Sequence, residues 1–240
     1  MTTRLGRQRR RRPADEIRAV ALDAAEACFI RFGIEQTTID DIVRAAGIPR
    51  ATLYRHAGGR DDLLIAVILA EIDRVLARLS RYIATRTTLA DIVVDGTLEA
   101  IKLVRQNPLL SVFASGPAVI GATISEQALA GLLQRLRGFV EPIFEPAQRA
   151  GLLRGDLSVP DAVEYLVRTI ESQLSFEAPW RRTAAQQREY LRQTLLPVFI
   201  PDDALATGHL LHAGGGSRQG VEDWDPTPTE SQGSLRWRDG

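Results

Sequence analysis

A single cysteine in 240 residues leaves no partner for an intrachain disulfide and no set of thiolates for a metal cluster. Cys28 falls on the apolar stripe of the first amphipathic segment, where a thiol acts as a small buried hydrophobe; a redox role is the alternative. Histidine is nearly as scarce. Of the three, His56 lies in a short polar segment, and His209 and His212 lie near the C-terminus with no carboxylate or cysteine arranged around them to complete a metal site. The sequence also has no nucleophile elbow, P-loop, dinucleotide-binding glycine fingerprint or H-E-x-x-H zinc motif. Glu164 and Glu171 are seven residues apart, nearly two helical turns, too far to make a carboxylate pair by spacing alone. These absences predict a protein that is not an enzyme and has no cofactor or metal.

No apolar run reaches the ~18–20 residues that a spanning helix requires, so no membrane role is expected. The basic N-terminus leads into an amphipathic stretch containing Asp15, Glu16, Asp23 and Glu26, not into an apolar core and cleavage site. That pattern is not a secretory signal, and a cytoplasmic location is expected. With 45% hydrophobic and 25% charged residues the composition is that of a globular protein. The formal net charge is zero, which argues against an indiscriminate polyanion binder. The distribution is uneven, however: residues 1 to 12 hold six arginines and no acid. Such a segment reads as a disordered arm that reaches phosphates or an adjacent minor groove, or else as a solubilising tail.

The informative stretch runs from Thr37 to Leu64, TTIDDIVRAAGIPRATLYRHAGGRDDLL. Ile39, Ile42, Val43 and Ala46 recur at helical spacing and form one apolar stripe, opposite Asp40, Asp41 and Arg44. Thr38 is placed to cap this helix, and the two aspartates stand near the positive end of its dipole. Gly47 follows where a helix end favours positive φ, and Pro49 suits the first turn of a new helix. That second helix, about Pro49 to His56, carries Arg50, Thr52, Tyr54, Arg55 and His56, with Ala51 and Leu53 left to pack. So short a helix hardly stabilises itself. Its polar surface and the tight glycine turn before it are what a helix-turn-helix offers to a major groove.

The run T-T-I-x-x-I-x-x-A-A-G-I-x-x-x-T-L-Y-x-H, followed by a basic residue and D-D-L-L, resembles the DNA-binding domain of TetR-type bacterial transcriptional repressors over roughly Asp15 to Ile68. The resemblance implies that Thr38, Thr52, Tyr54, His56 and Arg60 contact phosphates or position the reading helix, while Arg50 and Arg55 reach base edges. Three positions depart from the family pattern. Ala57 replaces a bulky aromatic, Gly59 replaces a Ser-like cap, and Arg60 stands for the usual lysine, adding a planar fork to the charge.

The rest of the chain reads as helical. A first helix from about Ala14 to Phe32 carries Ile17, Val20, Ala21, Ala24, Cys28 and Phe32 on one stripe. A long helix opens at Asp61 and Asp62 and continues to Ile83, a stiff route between the head and the remainder. Further helices are expected at about Leu89–Arg105, Pro108–Ser115, Ile124–Ala150, Pro160–Ala178 and Ala184–Ile200, with Pro142 and Pro146 kinking or splitting the third of these. The expected fold is all-α: a basic arm at 1–13, a helix-turn-helix domain at 14–60, a helical regulatory and dimerisation domain at 61–202 and a disordered tail at 203–240, the tail carrying Trp224 and Trp237.

Phe113, Phe139, Phe144, Phe176 and Trp180 are candidate linings of an apolar effector pocket, or plain core. The segment from Gly151 to Val163 also resembles the family, whose last two helices pair between subunits as a four-helix bundle. By that resemblance Leu166, Ile170, Leu174, Leu191 and Leu195 are interface candidates, with intramolecular core the alternative. The function expected is a homodimeric repressor on palindromic double-stranded DNA, released by a small, hydrophobic effector. The rivals are a DNA-binding module controlled by a protein partner and a transcriptional activator.

Overall fold

A computed structural model describes residues 13–114, 126–175 and 182–201, and every regular element among them is a helix. The expected tail and nearly all of the expected arm lie outside these residues. The chain falls into two compact units that divide between Glu71 and Ile72.

The first unit contains α1 (Ala14–Phe32), α2 (Ile39–Ala46), α3 (Arg50–Ala57) and the opening turns of α4 (Arg60–Ile83). Its core is built from Ala21, Ala25, Cys28 and Phe29 of α1, Ile42 of α2, Leu53 of α3 and Leu63, Leu64 and Val67 of α4. The small residues of α1 let its neighbours approach closely. Phe32 does not join this core: it is 44% exposed with the Arg31 guanidinium stacked on it, and Phe29, 1% exposed, takes the aromatic place. The i, i+4 row through Ala21, Ala25 and Phe29 carries the buried stripe, and Phe32 is the last residue before the chain leaves the helix at Gly33. Burial raises the pKa of the Cys28 thiol, and the Asp41 carboxylate raises it further, which keeps it an unreactive packing group.

The second unit holds the remainder of α4 with α5 (Leu89–Gln106), α6 (Pro108–Ala114), α7 (Glu126–Arg149), α8 (Val159–Ser175) and α9 (Ala184–Phe199). Thr88 caps α5 by accepting the Asp91 N–H at 3.1 Å, and Thr183 forms a reciprocal box with Gln186 at the start of α9. Helix α5 is the central element, with ten buried residues, and Gly96 in its middle permits close packing: a Cβ there would lie 3.2 Å from the Ile83 side chain. Arg188 of α9 ties the two helices together, donating to Asp95 at 2.7 Å and Asp91 at 2.5 Å, and its pKa is raised first by the hydrogen bond to Asp95.

Helix α7 runs unbroken through Pro142 and Pro146. Each proline removes one backbone donor, yet the buried row of Val140, Ile143, Phe144 and Ala147 holds the helix together across both. The far end of this unit closes on Phe199, wholly buried and set edge-on to Phe144 at 5.5 Å and to Tyr165 at 5.9 Å. Phe199→Ala should therefore cost about 3–5 kcal/mol of stability in denaturant unfolding of the full chain; a loss below ~1 kcal/mol would mean that this corner is not packed as described.

Candidate nucleic-acid interface

Local chemistry sets the geometry of the α2–α3 unit. Thr38 adopts an extended conformation and accepts the Asp41 N–H at 3.3 Å, while the Asp41 carboxylate takes the Thr38 N–H at 3.1 Å, completing a capping box. The Thr38 hydroxyl also donates to Asp41 at 2.5 Å, and this bond, followed by the backbone one, holds the Asp41 pKa below the usual carboxylate range. At the other end Gly47 sits in the left-handed region at φ 62° and ψ 27°, its N–H donating to Val43 at 3.1 Å. Ile48, 5% exposed, turns inward, and Pro49 is the N-cap residue from which the next helix starts.

Helix α3 has one buried side chain, Leu53. Arg50, Tyr54 and Arg55 are exposed, and Thr52 and His56 are half-buried. The structure brings Arg50 and Tyr54 together one turn apart: the Arg50 guanidinium lies 5.5 Å from the Tyr54 ring centre and donates to its hydroxyl at 3.5 Å. A partner that sequence reading missed is Asp40 of α2, whose carboxylate accepts from Arg50 Nη1 at 2.5 Å. The Tyr54 hydroxyl and then the Asp40 charge raise the pKa of this guanidinium further. The signal was present as opposite charges flanking the glycine turn, but ten residues separate them and no helical spacing links them. Arg55, by contrast, has no ion pair among the described residues.

The Arg60 guanidinium is bound into its own unit. Its Nε donates to the Thr37 carbonyl at 2.7 Å, Nη2 donates to the Ile34 carbonyl, Nη1 pairs with Asp61 at 2.6 Å, and the guanidinium lies 5.8 Å from the Phe29 ring centre. The side chain is 27% exposed. This fork fastens the start of α4 to the segment that precedes α2, a task that a lysine point charge could not perform with the same geometry. Thr37 supports the same segment: its buried hydroxyl lies 2.7 Å from the Gly33 carbonyl and 3.1 Å from that of Cys28, and its one proton is shared between them. Gly59, lacking a side chain, leaves half a capping box at α4, in which Asp62 accepts the Gly59 N–H at 2.8 Å.

The second unit contains a cavity of about 280 Å³ between α4, α5, α7 and α8. Phe139 and Phe144 line it; Phe176, Trp180 and the Phe113 side chain lie outside the described residues. Of the residues read as interface or core, Leu166, Ile170 and Leu174 line this cavity and are part-exposed, and Leu191 and Leu195 are 1% exposed within the single chain. Aliphatic residues dominate the wall, among them Val75, Leu79, Val93 and Leu136, which a search for aromatics overlooked. Of its polar members, Thr97 donates to the Val93 carbonyl at 2.7 Å and is already satisfied, and Glu171 is exposed.

Residues 21–67 match the family model described as bacterial regulatory proteins, tetR family. An HTH-type transcriptional regulator of Mycobacterium tuberculosis, itself uncharacterised, is 27% identical over 193 residues, covering 78% of this chain and 89% of the relative. The HTH-type transcriptional regulator TtgR of Pseudomonas putida is 36% identical over 75 residues, 30% of this chain and 36% of that protein. Among solved structures, a TetR-family transcriptional regulator from Pectobacterium atrosepticum superposes with a TM-score of 0.55 at 17% identity, covering 78% of this chain and 96% of that one, a likeness of fold.

Arg60→Lys, which keeps the charge and loses the fork, should lower the stability of the chain by about 1–3 kcal/mol in thermal or denaturant unfolding; an unchanged midpoint would remove Arg60 from the role of clamp.

Proposed function

We propose that this chain, which belongs to the TetR family of bacterial regulatory proteins and is a DNA-binding transcriptional regulator, works as a homodimeric repressor released from a palindromic operator by a small apolar effector. The observation that carries this reading is the dress of α3: one buried leucine, and arginines, threonine, tyrosine and histidine on the rest of its surface. A helix of that kind gains little from its own fold and much from a polar partner.

In this reading Arg55, unpaired among the described residues, reaches a base edge, Arg50 reads beside it, and Thr38, Thr52, Tyr54 and His56 meet phosphates. Arg60 acts through the fold, by holding the segment before α2. Two copies related by a two-fold axis present their reading helices to major grooves about 34–36 Å apart, which makes the site an inverted repeat. The protein acts in the cytoplasm; no helix among the described residues is long and apolar enough to cross a membrane.

The cavity of the second unit suits an apolar ligand, since burying apolar surface is its main source of affinity and its volume stands near the lower end of ligand pockets, about 300–1,000 Å³. Helix α4 supplies Arg60 to the first unit and residues from Ile72 to Ile83 to the cavity wall. A ligand favouring the conformation that binds DNA poorly weakens DNA binding by the same coupling energy with which DNA weakens the ligand.

Selection of bound duplexes from a random pool tests the first part: an inverted repeat should emerge, and Arg55→Ala should cost about 1–3 kcal/mol and relax preference at one base pair of each half-site. No enriched site would overturn the reading. For the second part, Ala100→Phe, which fills the wall of α5, should abolish uptake of the neutral fluorophore N-phenyl-1-naphthylamine while DNA binding persists. Equal uptake by both proteins would place the effector elsewhere.

A further inference from the structure

We propose that Asp40 is a positioning residue that sets the specificity of DNA reading, by holding the Arg50 guanidinium across the helix-turn-helix and away from phosphate. The inference rests on the DNA-reading function proposed above and goes beyond it, since the resemblance assigns Asp40 no part in the interface.

Three contacts define the arrangement: Arg50 Nη1 to Asp40 Oδ1 at 2.5 Å, Arg50 Nη2 to the Tyr54 hydroxyl at 3.5 Å, and the guanidinium carbon 5.5 Å from the Tyr54 ring centre. Asp40 belongs to α2 and the other two residues to α3, so the cluster spans the turn. Both charged side chains are largely in water, 54% exposed for Arg50 and 62% for Asp40. An ion pair so exposed adds little to the stability of a fold, so stability does not account for it. Nor does capping, because Asp41 makes both bonds of the capping box.

The arrangement does have a consequence for DNA. An unrestrained arginine beside a duplex is drawn to phosphate, and that attraction is the same for every sequence. Reading guanine requires the planar fork to meet two neutral acceptors, O6 and N7, in one orientation. Asp40 serves that difference in two ways. Its charge opposes the approach of phosphate oxygen to Arg50, and it fixes one corner of the fork so that less freedom is lost on meeting a base. Tyr54 supports the plane from one side. Asp40 thereby weakens binding to arbitrary DNA and strengthens discrimination at one base pair.

Fluorescence-anisotropy titrations of the full chain, using the duplex selected by the wild type, its single-base variants and a scrambled duplex, test this directly. The proteins are wild type, D40N, D40E, R50A, the D40N/R50A double variant, and E35Q as a control that removes one exposed acid of the same unit. D40N is expected to lower the ratio of selected to scrambled affinity about tenfold and to erase preference at a single base pair, with D40E restoring it. E35Q, with the same change in charge, should leave the preference in place. In the R50A background, D40N should remove no further preference, because both substitutions act through one guanidinium. The inference is overturned if D40N keeps the full preference, if E35Q mimics it, or if D40N removes as much preference with Arg50 absent as with it present. A wild type that distinguishes no duplex overturns the reading of function and this inference together, whereas a wild type that discriminates while D40N does so equally well overturns this inference alone. An unfolding midpoint for D40N that matches wild type excludes a loss of fold as the cause.

Discussion

Leu53 is the one side chain of α3 that is buried, and it is 0% exposed. An eight-residue helix anchored at a single point is far below the length at which helices persist alone, about 12–15 residues, so its position is imposed by its neighbours. Much of the first unit can be understood as the means of imposing it. The capping box fixes where α2 begins, Gly47 fixes where it ends, and Ile48 turns inward before α3 starts. Thr37 and Arg60 fasten the segment ahead of α2 to α1 and α4. Polar side chains can then face outward in number because the scaffold, not the helix, supplies the packing.

The second unit solves the opposite problem. Its helices are amphipathic and share a long α5, yet they leave an apolar space that no side chain of the described residues fills. Unfilled apolar volume lowers stability, by ~24 cal/mol per Å³ in core-truncation series, so a cavity of this size is costly to keep without a use. Ligand binding is such a use. The ion pairs that surround this unit, Arg188 with Asp91 and Asp95 and Arg135 with Asp73, lie away from the apolar lining and bridge helices at the periphery.

Legibility in the sequence followed the range of the interaction. Thr38, Gly47 and Pro49 announce helix ends through bonds to residues three or four positions away, and the structure puts those ends where local chemistry predicts. Helix content in the second unit was equally plain from apolar spacing. What spacing does not encode is the direction in which an apolar stripe faces. Leu166 toward a cavity, Leu195 toward its own core and either one toward a second subunit have the same sequence signature. The continuity of α7 through two prolines depended on buried packing that no local rule weighs. Arg60 and Asp40 were legible as charges and not as contacts, because their partners lie 23 and ten residues away across turns. Phe29 and Phe32 show the same limit on a smaller scale, three residues apart on one helix and on opposite sides of the boundary between core and solvent.

In the proposed function α3 is a surface that gains order from DNA. Hydrogen–deuterium exchange of the full chain with and without a duplex carrying its selected site addresses this most directly, since a helix held by one side chain exchanges readily until a partner covers it. Strong new protection is predicted at residues 50–57 and around Thr38 on duplex addition, with the amides of α9 unchanged. Protection that leaves α3 untouched, or exchange in α3 already slow without DNA and unaltered by it, would contradict the account.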